Sequence, residues 1–365
     1  MLQISHISKT FFKGTQNEKK ALIDLSLTLN DGDFCTVIGG NGAGKSTLLN
    51  SISGAYIPDS GTISIDGTDV THMSEYKRAK YIGRVFQDPL KGTAAGMQIE
   101  ENLILAARRG ESRRMRWAFG KGDHERFRDM LKRLDLGLEN RLETRIGLLS
   151  GGQRQAVTLL MATMKKPEIL LLDEPLGALD LKLRKEMQLE LKRLQREMNI
   201  TFIYVTHDQE EALSMSDTVV VMDKGRIQQI GRPEDIYNEP KNAFVADFIG
   251  ESNILDGVML EDFKVRFFGR VFECVDKGFA PNEPVDVVIR PEDIDIVKPA
   301  ESHLVGTVTG ITFKGLNYDI IVEFKGFKWL IQTTDYCPVD AYIGIRLNPE
   351  DIHIMHKSEY SGMFG

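Results

Sequence analysis

One eight-residue segment constrains this chain more than any other, because its glycines and its flanks allow very few backbone arrangements. Residues 39–46 read Gly-Gly-Asn-Gly-Ala-Gly-Lys-Ser and match the pattern GxxxxGK[ST] in full. The short apolar run 34–38 precedes this segment, and a helical pattern follows over 45–53. A strand, a glycine loop and a helix start in this order turn successive N–H groups toward one centre, where the helix N-terminus adds positive charge. The segment therefore predicts a phosphate site.

The match assigns a role to each residue of the loop and of the first helical turn. The lysine side chain reaches the outer phosphates as a point charge, and the Ser46 hydroxyl ligates Mg²⁺ with support from Thr47. We expect Lys45 to offset the charge that develops during phosphoryl transfer, which makes it a catalytic residue. The predicted phosphate-binding residues are Gly39, Gly40, Asn41, Gly42, Ala43, Gly44, Lys45, Ser46 and Thr47.

A second apolar run supplies two acidic residues. Residues 170–174 read Leu-Leu-Leu-Asp-Glu, which predicts a buried strand with adjacent carboxylates at its end. Because successive strand residues point to opposite sides, Asp173 is expected to hold Mg²⁺ while Glu174 faces the γ-phosphate and its attacking water. Two further short apolar runs, 202–205 and 219–222, alternate with helical patterns. Runs of this length fit strands covered on both faces, so this part is predicted as α/β with a parallel sheet.

Two polar residues follow predicted strands and complete the candidate site. Gln87 follows the run 84–86, and its neutral amide is suited to contact Mg²⁺ or water and to release it easily. His207 ends the run that begins at residue 202, on the same side of the predicted sheet as Asp173. A histidine there can bond the γ-phosphate and hold the water.

The segment Leu149-Ser150-Gly151-Gly152-Gln153 is a second phosphate-binding device. Ser150 is a good helix N-cap, and the two glycines leave bare backbone at the helix start. One nucleotide has a single γ-phosphate, which the first loop already serves. Both phosphate-binding segments can contact a nucleotide if two copies of the chain pair head to tail, with each glycine loop facing the partner's Ser150 end.

These segments, in this order, resemble the ATP-binding cassette (ABC) ATPases over about residues 1–240. The resemblance implies a P-loop NTPase core of the RecA-like ABC type, ATP-driven closure of a homodimer, and permease subunits on other chains. It makes Glu174 the general base, places Asp180 at the dimer seam and stacks Phe11 on adenine, with Phe12 as the alternative. It also assigns four residues to the partner's γ-phosphate: Ser150, Gly151, Gly152 and Gln153.

The second half of the chain is similar to importer ATPases of the spermidine/putrescine class. The segments that carry this similarity are 181–188, 206–217, 235–240, 248–253 and 288–293. Segments 88–95 and 154–161 look closer to a tryptophan/tyrosine-type importer branch, which predicts a mosaic joined near 174–176. Polyamines are the expected solute, and an amino-acid-type importer is the alternative. Three rivals stay open at this point: an exporter ATPase, a soluble cassette protein of translation or DNA repair, and a regulatory module without turnover.

The predicted domains follow from a change along the chain, from alternating strand and helix patterns to many short strands. Residues 1–240 are predicted as the ATPase domain, with a helical subdomain over about 88–165, and 241–253 as a linker. Residues 254–365 show many short strands and are expected to form an all-β, OB-like regulatory domain of the TOBE type. The sequence Pro-Glu-Asp-Ile at 291–294 returns at 349–352, which suggests two related β modules.

Composition limits the partners. The net charge of −7 argues against nucleic acid as a partner, although Arg108, Arg109, Arg113, Arg114 and Arg116 form a basic cluster beside Trp117 and Phe119. That cluster fits either a partner contact or a solvated face. No apolar run approaches the roughly 18 residues that span a bilayer, and the first residues lack a signal-peptide layout. We therefore expect a cytoplasmic protein, peripheral at the inner membrane face through its permease, with a solute-binding protein as an indirect partner.

Overall fold

The chain divides into two units, Met1–Pro233 and Glu234–Gly365. The computed structural model describes residues 1–109, 120, 122–177 and 179–363. From the predicted basic cluster, Arg113, Arg114, Arg116, Trp117 and Phe119 lie outside these described residues. Within the described part, no helix combines the length and the apolar character needed to cross a membrane.

The first unit alternates strands and helices. Its strands are β1 (Leu2–Phe11), β2 (Lys19–Leu29), β3 (Phe34–Gly39), β4 (Ser60–Ile65), β5 (Thr68–Asp69), β6 (Ile82–Val85), β7 (Ile169–Asp173), β8 (Thr201–Val205), β9 (Thr218–Asp223) and β10 (Arg226–Gly231). Its helices are α1 (Lys45–Ser53), α2 (Glu75–Arg78), α3 (Ile99–Ala107), α4 (Asp123–Lys132), α5 (Gly151–Thr163), α6 (Leu181–Met198) and α7 (Gln209–Met215).

The central sheet has the strand order β10-β9-β3-β8-β7-β6 and is parallel except for β10. Strand β8 lies between β3 and β7, and its residue Val205 is opposite both Val37 and Asp173. The glycine loop, His207 and the two acidic residues therefore leave the sheet at one edge, as the sequence predicted for parallel strands. A separate antiparallel sheet has the order β2-β1-β4-β5.

Both faces of the central sheet are buried, which explains why its strands read as continuous apolar runs. Leu171 and Ile203 belong to a core that includes Leu48 of α1. Leu170 and Phe202, their chain neighbours, belong to the core on the other face with α5 and α6. Alternate residues of one strand thus enter two different cores.

The region predicted as a helical subdomain contains α3, α4, α5 and a 3-10 turn at Ile146–Leu148. It has an apolar core of its own, in which Leu103, Phe127 and Val157 are fully buried. Helix α5 contributes to this core and to the core on one face of the central sheet, through Val157 and Leu159 respectively. The α5 start is thereby fixed relative to both parts.

The second unit is β-rich and begins with two helices. Its elements are α8 (Pro233–Asn238), α9 (Ala243–Ile249), β11 (Asn253–Glu261), β12 (Lys264–Phe267), β13 (Arg270–Glu273), β14 (Glu283–Ile289), β15 (Asp295–Val297), β16 (Leu304–Phe313), β17 (Tyr318–Phe324), β18 (Phe327–Thr333), β19 (Tyr342–Arg346) and β20 (His353–His356). Two five-stranded sheets have the orders β13-β12-β11-β14-β20 and β15-β19-β16-β17-β18. The repeated Pro-Glu-Asp segments form 3-10 turns, Pro291–Asp293 and Pro349–Asp351.

The boundary between the units differs from the sequence prediction. The division falls after Pro233 and not at 240, and the predicted linker 241–253 contains helix α9. The physical reason is Arg290, which is buried and donates to the carbonyl oxygens of Tyr237, Ala246 and Gly250. This side chain ties α8, α9 and the segment after α9 to the β-rich unit. Within the described part of 254–365 the elements are strands and 3-10 turns, as expected.

Candidate nucleotide-binding site

The glycine loop joins β3 to α1, and two of its glycines are required by the backbone itself. Gly44 has φ of 106°, and a Cβ there would lie 2.5 Å from the Ala21 carbonyl oxygen. A Cβ on Gly39 would lie 2.1 Å from the carbonyl oxygen of Met222. Side chains are therefore excluded at both positions. Helix α1 has no side-chain cap at its start, which leaves its first N–H groups for a ligand.

The loop borders a cavity of about 190 Å³. The cavity is lined by Lys19, Ala21, Asn41, Gly42, Ala43, Gly44, Lys45, Ser46, Thr47 and Glu174. This set brings together the predicted phosphate-binding loop and the predicted general base. A concave site with N–H groups, two lysines and two hydroxyls is suited to a polyphosphate.

Lys45 is folded back onto its own loop. Its Nζ donates to the carbonyl oxygens of Gly39 at 2.7 Å and Gly40 at 3.2 Å. Burial lowers the pKa of Lys45, while the nearby carboxylates of Glu174 and Asp173 act in the opposite direction. An anionic phosphate in the cavity would stabilise the lysine cation in the same way as these carboxylates.

Glu174 is held by two polar side chains. Its Oε2 accepts from Gln87 Nε2 at 2.8 Å, and its Oε1 lies 3.3 Å from His207 Nδ1. The predicted base, glutamine and histidine thus form one cluster. Strand alternation does not set the direction of the Glu174 side chain, because β7 ends at Asp173 and Glu174 follows with φ of 42°. Such left-handed backbone at a non-glycine residue costs free energy and is often found at functional sites.

Of the two carboxylates, Asp173 is a better candidate for a metal ligand than Glu174. Burial raises the pKa of Asp173, Arg84 opposes this rise and Glu174 adds to it. A buried carboxylate of this kind is stabilised by a cation, and Mg²⁺ prefers few protein oxygens together with substrate phosphates. Asp173 and the Ser46 hydroxyl therefore fit Mg²⁺. The Gln87 amide donates to Glu174, so its predicted place on the metal stays a prediction.

Ser150 caps helix α5, as predicted. The N–H of Gln153 donates to Ser150 Oγ, and the Ser150 N–H donates to Gln153 Oε1, both at 3.3 Å. A Cβ on Gly151 would meet nothing within 4 Å, whereas one on Gly152 would lie 2.1 Å from Leu183 Cδ2. One glycine thus leaves the helix start open, and the other allows α6 to pack against it. These residues are not in the lining of the 190 Å³ cavity of the same chain.

Two other predicted residues have local partners. Asp180 caps helix α6 by accepting from the N–H of Leu183 at 3.0 Å. Phe11 ends β1 and packs edge-on against Tyr56, with ring centroids 5.2 Å apart. Neither Phe11 nor its alternative Phe12 lines the cavity. Their roles at the dimer seam and on adenine stay predictions.

Two basic residues of the site were not found from the sequence. Lys19 begins β2 and lines the cavity. Arg84 donates to Asn50 Oδ1 at 2.8 Å and to Ser53 Oγ at 3.2 Å, and its charge acts on Asp173. The only local signal is a basic residue at or near a strand end, which is too common to assign a role. Their positions depend on tertiary packing, because β2 belongs to the separate antiparallel sheet and β6 is the edge strand of the central sheet beside β7.

Comparisons with known proteins agree with this geometry. A family model described as ABC transporter matches residues 22–177. The spermidine/putrescine import ATP-binding protein PotA of Acetivibrio thermocellus is 48% identical over 360 residues, which is 98% of this chain and 97% of that protein. The protein of the same name from Clostridioides difficile is 45% identical over 368 residues and 98% of each chain.

A solved structure supports the same assignment for the first unit. The ATP-binding cassette MJ0796, in a dimeric post-hydrolysis state bound to ADP and Pi, is 28% identical with a TM-score of 0.56. The match covers 64% of this chain and 99% of that one. The predicted mosaic junction near 174–176 is not confirmed, because single relatives match on both sides of it. From the full-length relatives and the site geometry we conclude that this chain belongs to the ATP-binding protein family of ABC transporters.

Proposed function

We propose that this chain is the ATP-hydrolysing subunit of an importer for polyamines such as spermidine and putrescine. One observation carries the proposal: relatives named for spermidine/putrescine import match 98% of the chain at 45–48% identity. As a cytoplasmic protein at the inner face of the membrane, it would dock on permease subunits as a homodimer. A solute-binding protein would deliver the polyamine to that permease from outside.

The residues of the site are suited to different roles during hydrolysis. The loop N–H groups, Lys45 and Lys19 bind the phosphates, and charge that develops on the transferred phosphoryl is offset by Lys45. Glu174 orients or deprotonates the attacking water. His207 hydrogen-bonds the γ-phosphate and holds this water in place. Gln87 and His207 each contact one carboxylate oxygen of Glu174. Each carboxylate oxygen can accept more than one hydrogen bond, so Glu174 can also accept from the attacking water, with or without exchange of one of these contacts.

Mg²⁺, when bound by Asp173, Ser46 and the nucleotide phosphates, would supply positive charge at the transferred group. The second half of each site would come from the partner copy, through the α5 start at Ser150. If ATP binding breaks the hydrogen bond from Gln87 to Glu174, the nucleotide state would be coupled to the segment after Gln87. The resemblance places the permease contact in that segment.

The hydrolytic roles are tested with Glu174→Gln. Gln is isosteric, so the contacts with Gln87 and His207 can be re-formed by amide rotation, and ATP binding should stay within about twofold. Turnover should fall by about 10²–10⁴-fold, the usual contribution of a general base. ATP should hold this variant as a dimer in size-exclusion chromatography. A monomer with bound ATP would contradict the shared site, and a turnover close to wild type would contradict the assignment of the base.

The solute is tested separately. The chain, its permease and the solute-binding protein are reconstituted in vesicles, and ATP-dependent uptake of spermidine, putrescine, tryptophan and tyrosine is compared. We expect uptake of the polyamines only. Uptake of the aromatic amino acids would support the alternative importer branch, to which segments 88–95 and 154–161 show similarity.

A further inference from the structure

A buried carboxylate lies directly behind the turn that carries His207. Glu211 belongs to helix α7, and its residue is only 4% exposed. Its Oε2 accepts from the Tyr204 hydroxyl at 2.5 Å and from the Thr206 hydroxyl at 2.8 Å. A buried carboxylate is costly unless such donors satisfy it, so these contacts fix its position.

Thr206 transmits this position to the backbone of the turn. Its hydroxyl donates to Glu211 and also accepts from the Asp208 N–H at 3.0 Å. These two bonds fix the residues on both sides of His207. The Asp208 carboxylate in turn accepts from the Glu211 N–H at 3.1 Å, which closes the loop of contacts at the α7 start.

The His207 side chain itself is mostly exposed and is not held by these buried contacts. Its side chain is 68% exposed, and its contact within the site is with Glu174, at 3.3 Å. Its placement therefore depends on the backbone that the buried contacts hold. Burial and the adjacent Glu211 carboxylate raise the pKa of Tyr204, which keeps its hydroxyl protonated as a donor.

A further contact joins this turn to the start of α6. Arg184 Nη1 lies 3.7 Å from the Asp208 carboxylate, and its Nη2 donates to the Leu179 carbonyl oxygen at 3.3 Å. The turn is thus braced from two directions: by a buried carboxylate from α7, and by a cation from the helix that Asp180 caps.

We propose that Glu211 is a positioning residue for ATP hydrolysis, which acts through Thr206 and Tyr204 to hold the His207 turn against the Glu174 carboxylate. The inference rests on the proposed function, since it needs His207 to act in hydrolysis. Glu211 does not touch the nucleotide cavity, so it should affect turnover and not ATP binding. Displacement of a catalytic group by about 1 Å can cost up to 10²-fold in rate.

The test compares Glu211→Met with Glu210→Met in the full chain. Methionine has a similar length but no acceptor oxygen, so it removes both contacts with the Tyr204 and Thr206 hydroxyls. Glu210 precedes Glu211 in the same helix and is exposed, so it is a matched control. Glu211→Met should lower kcat by about tenfold or more, with the KM for ATP within about twofold, whereas Glu210→Met should leave both unchanged. Thr206→Val removes the same link without touching the carboxylate, and it should give the same separation of kcat from KM. This second variant also carries the test alone if Glu211→Met does not fold.

A double-mutant cycle with His207→Ala separates positioning from a general loss of stability. If Glu211 acts through His207, the Glu211→Met change should lower kcat by less than about twofold in the His207→Ala background. Effects that multiply, or a Glu211→Met kcat within twofold of wild type, would overturn the inference and leave the proposed function intact. A His207→Ala protein with unchanged kcat would instead overturn the His207 role, and the inference would fail with it.

Discussion

Replacement of Arg290 by Met should destabilise the β-rich unit strongly. The guanidinium donates to Ala246 O at 2.9 Å, Gly250 O at 3.0 Å, Ser252 Oγ at 2.6 Å and Tyr237 O at 2.5 Å. It also lies over the Tyr237 ring at 4.1 Å. Methionine preserves much of the apolar stem but provides no donor, so three carbonyl oxygens and a hydroxyl lose the guanidinium. The Ser252 hydroxyl can still donate to the carbonyl oxygen of Ala246 or Gly250.

The magnitude follows from two opposing contributions. Each hydrogen bond from a charged donor contributes about 1.5–3 kcal/mol. Burial lowers the pKa of Arg290, which shows that the cation is desolvated at a cost, and its removal recovers part of that cost. Each buried acceptor left without a donor costs about 1–3 kcal/mol, so the net loss expected for this network is about 3–5 kcal/mol. That is a large part of the 5–15 kcal/mol by which a domain is usually stable.

Tryptophan fluorescence can measure this loss in the second unit alone. The chain has two tryptophans, and Trp329 is fully buried in the β-rich core. In a Trp117→Phe background, urea unfolding followed at Trp329 reports that unit. The midpoint should fall by roughly 1–3 M for Arg290→Met. Arg346→Met removes an exposed ion pair with Asp295 and should cost less than about 1 kcal/mol. An Arg290→Met midpoint equal to that of this control would refute the reasoning.

Three further predictions concern the first unit. The raised pKa of Asp173 means that its charged form destabilises the fold above that pKa, so Asp173→Asn without nucleotide should melt higher than wild type at a pH of about 8. The difference should vanish in acid, and a larger difference in acid would contradict it. Gly152→Ala should lower the free energy of unfolding by about 1–3 kcal/mol, because the added Cβ overpacks against Leu183. Adding Leu183→Ala should restore part of this stability. Gly151→Ala, as a control, should leave the melting temperature unchanged but lower ATPase activity. Lys19→Gln should weaken ATP binding several-fold in titrations at low salt and less at high salt, and an equal loss at both would argue against a charge contact.

Local patterns predicted the site segments because each depends on neighbours in sequence. The glycine loop needs positive φ at Gly44, the α5 start needs a capping residue such as Ser150, and the strand before Asp173 needs apolar residues on both faces. These requirements are visible within a few residues. The sequence therefore predicted the α/β class, the loop, the helix start and the acidic strand end.

The contacts that decide geometry come from residues far apart in the chain. Strand order places β8 between β3 and β7, and this brings His207 to Glu174. The left-handed backbone of Glu174 overrides strand alternation, and no local pattern indicated it. Arg290 moves the unit boundary to Pro233 through carbonyl groups that any residue type offers. The sequence by itself determined which chemical groups are available and which local turns carry them. Only the tertiary structure decided which groups meet, because backbone acceptors and buried hydroxyl partners leave no signature in residue type or spacing.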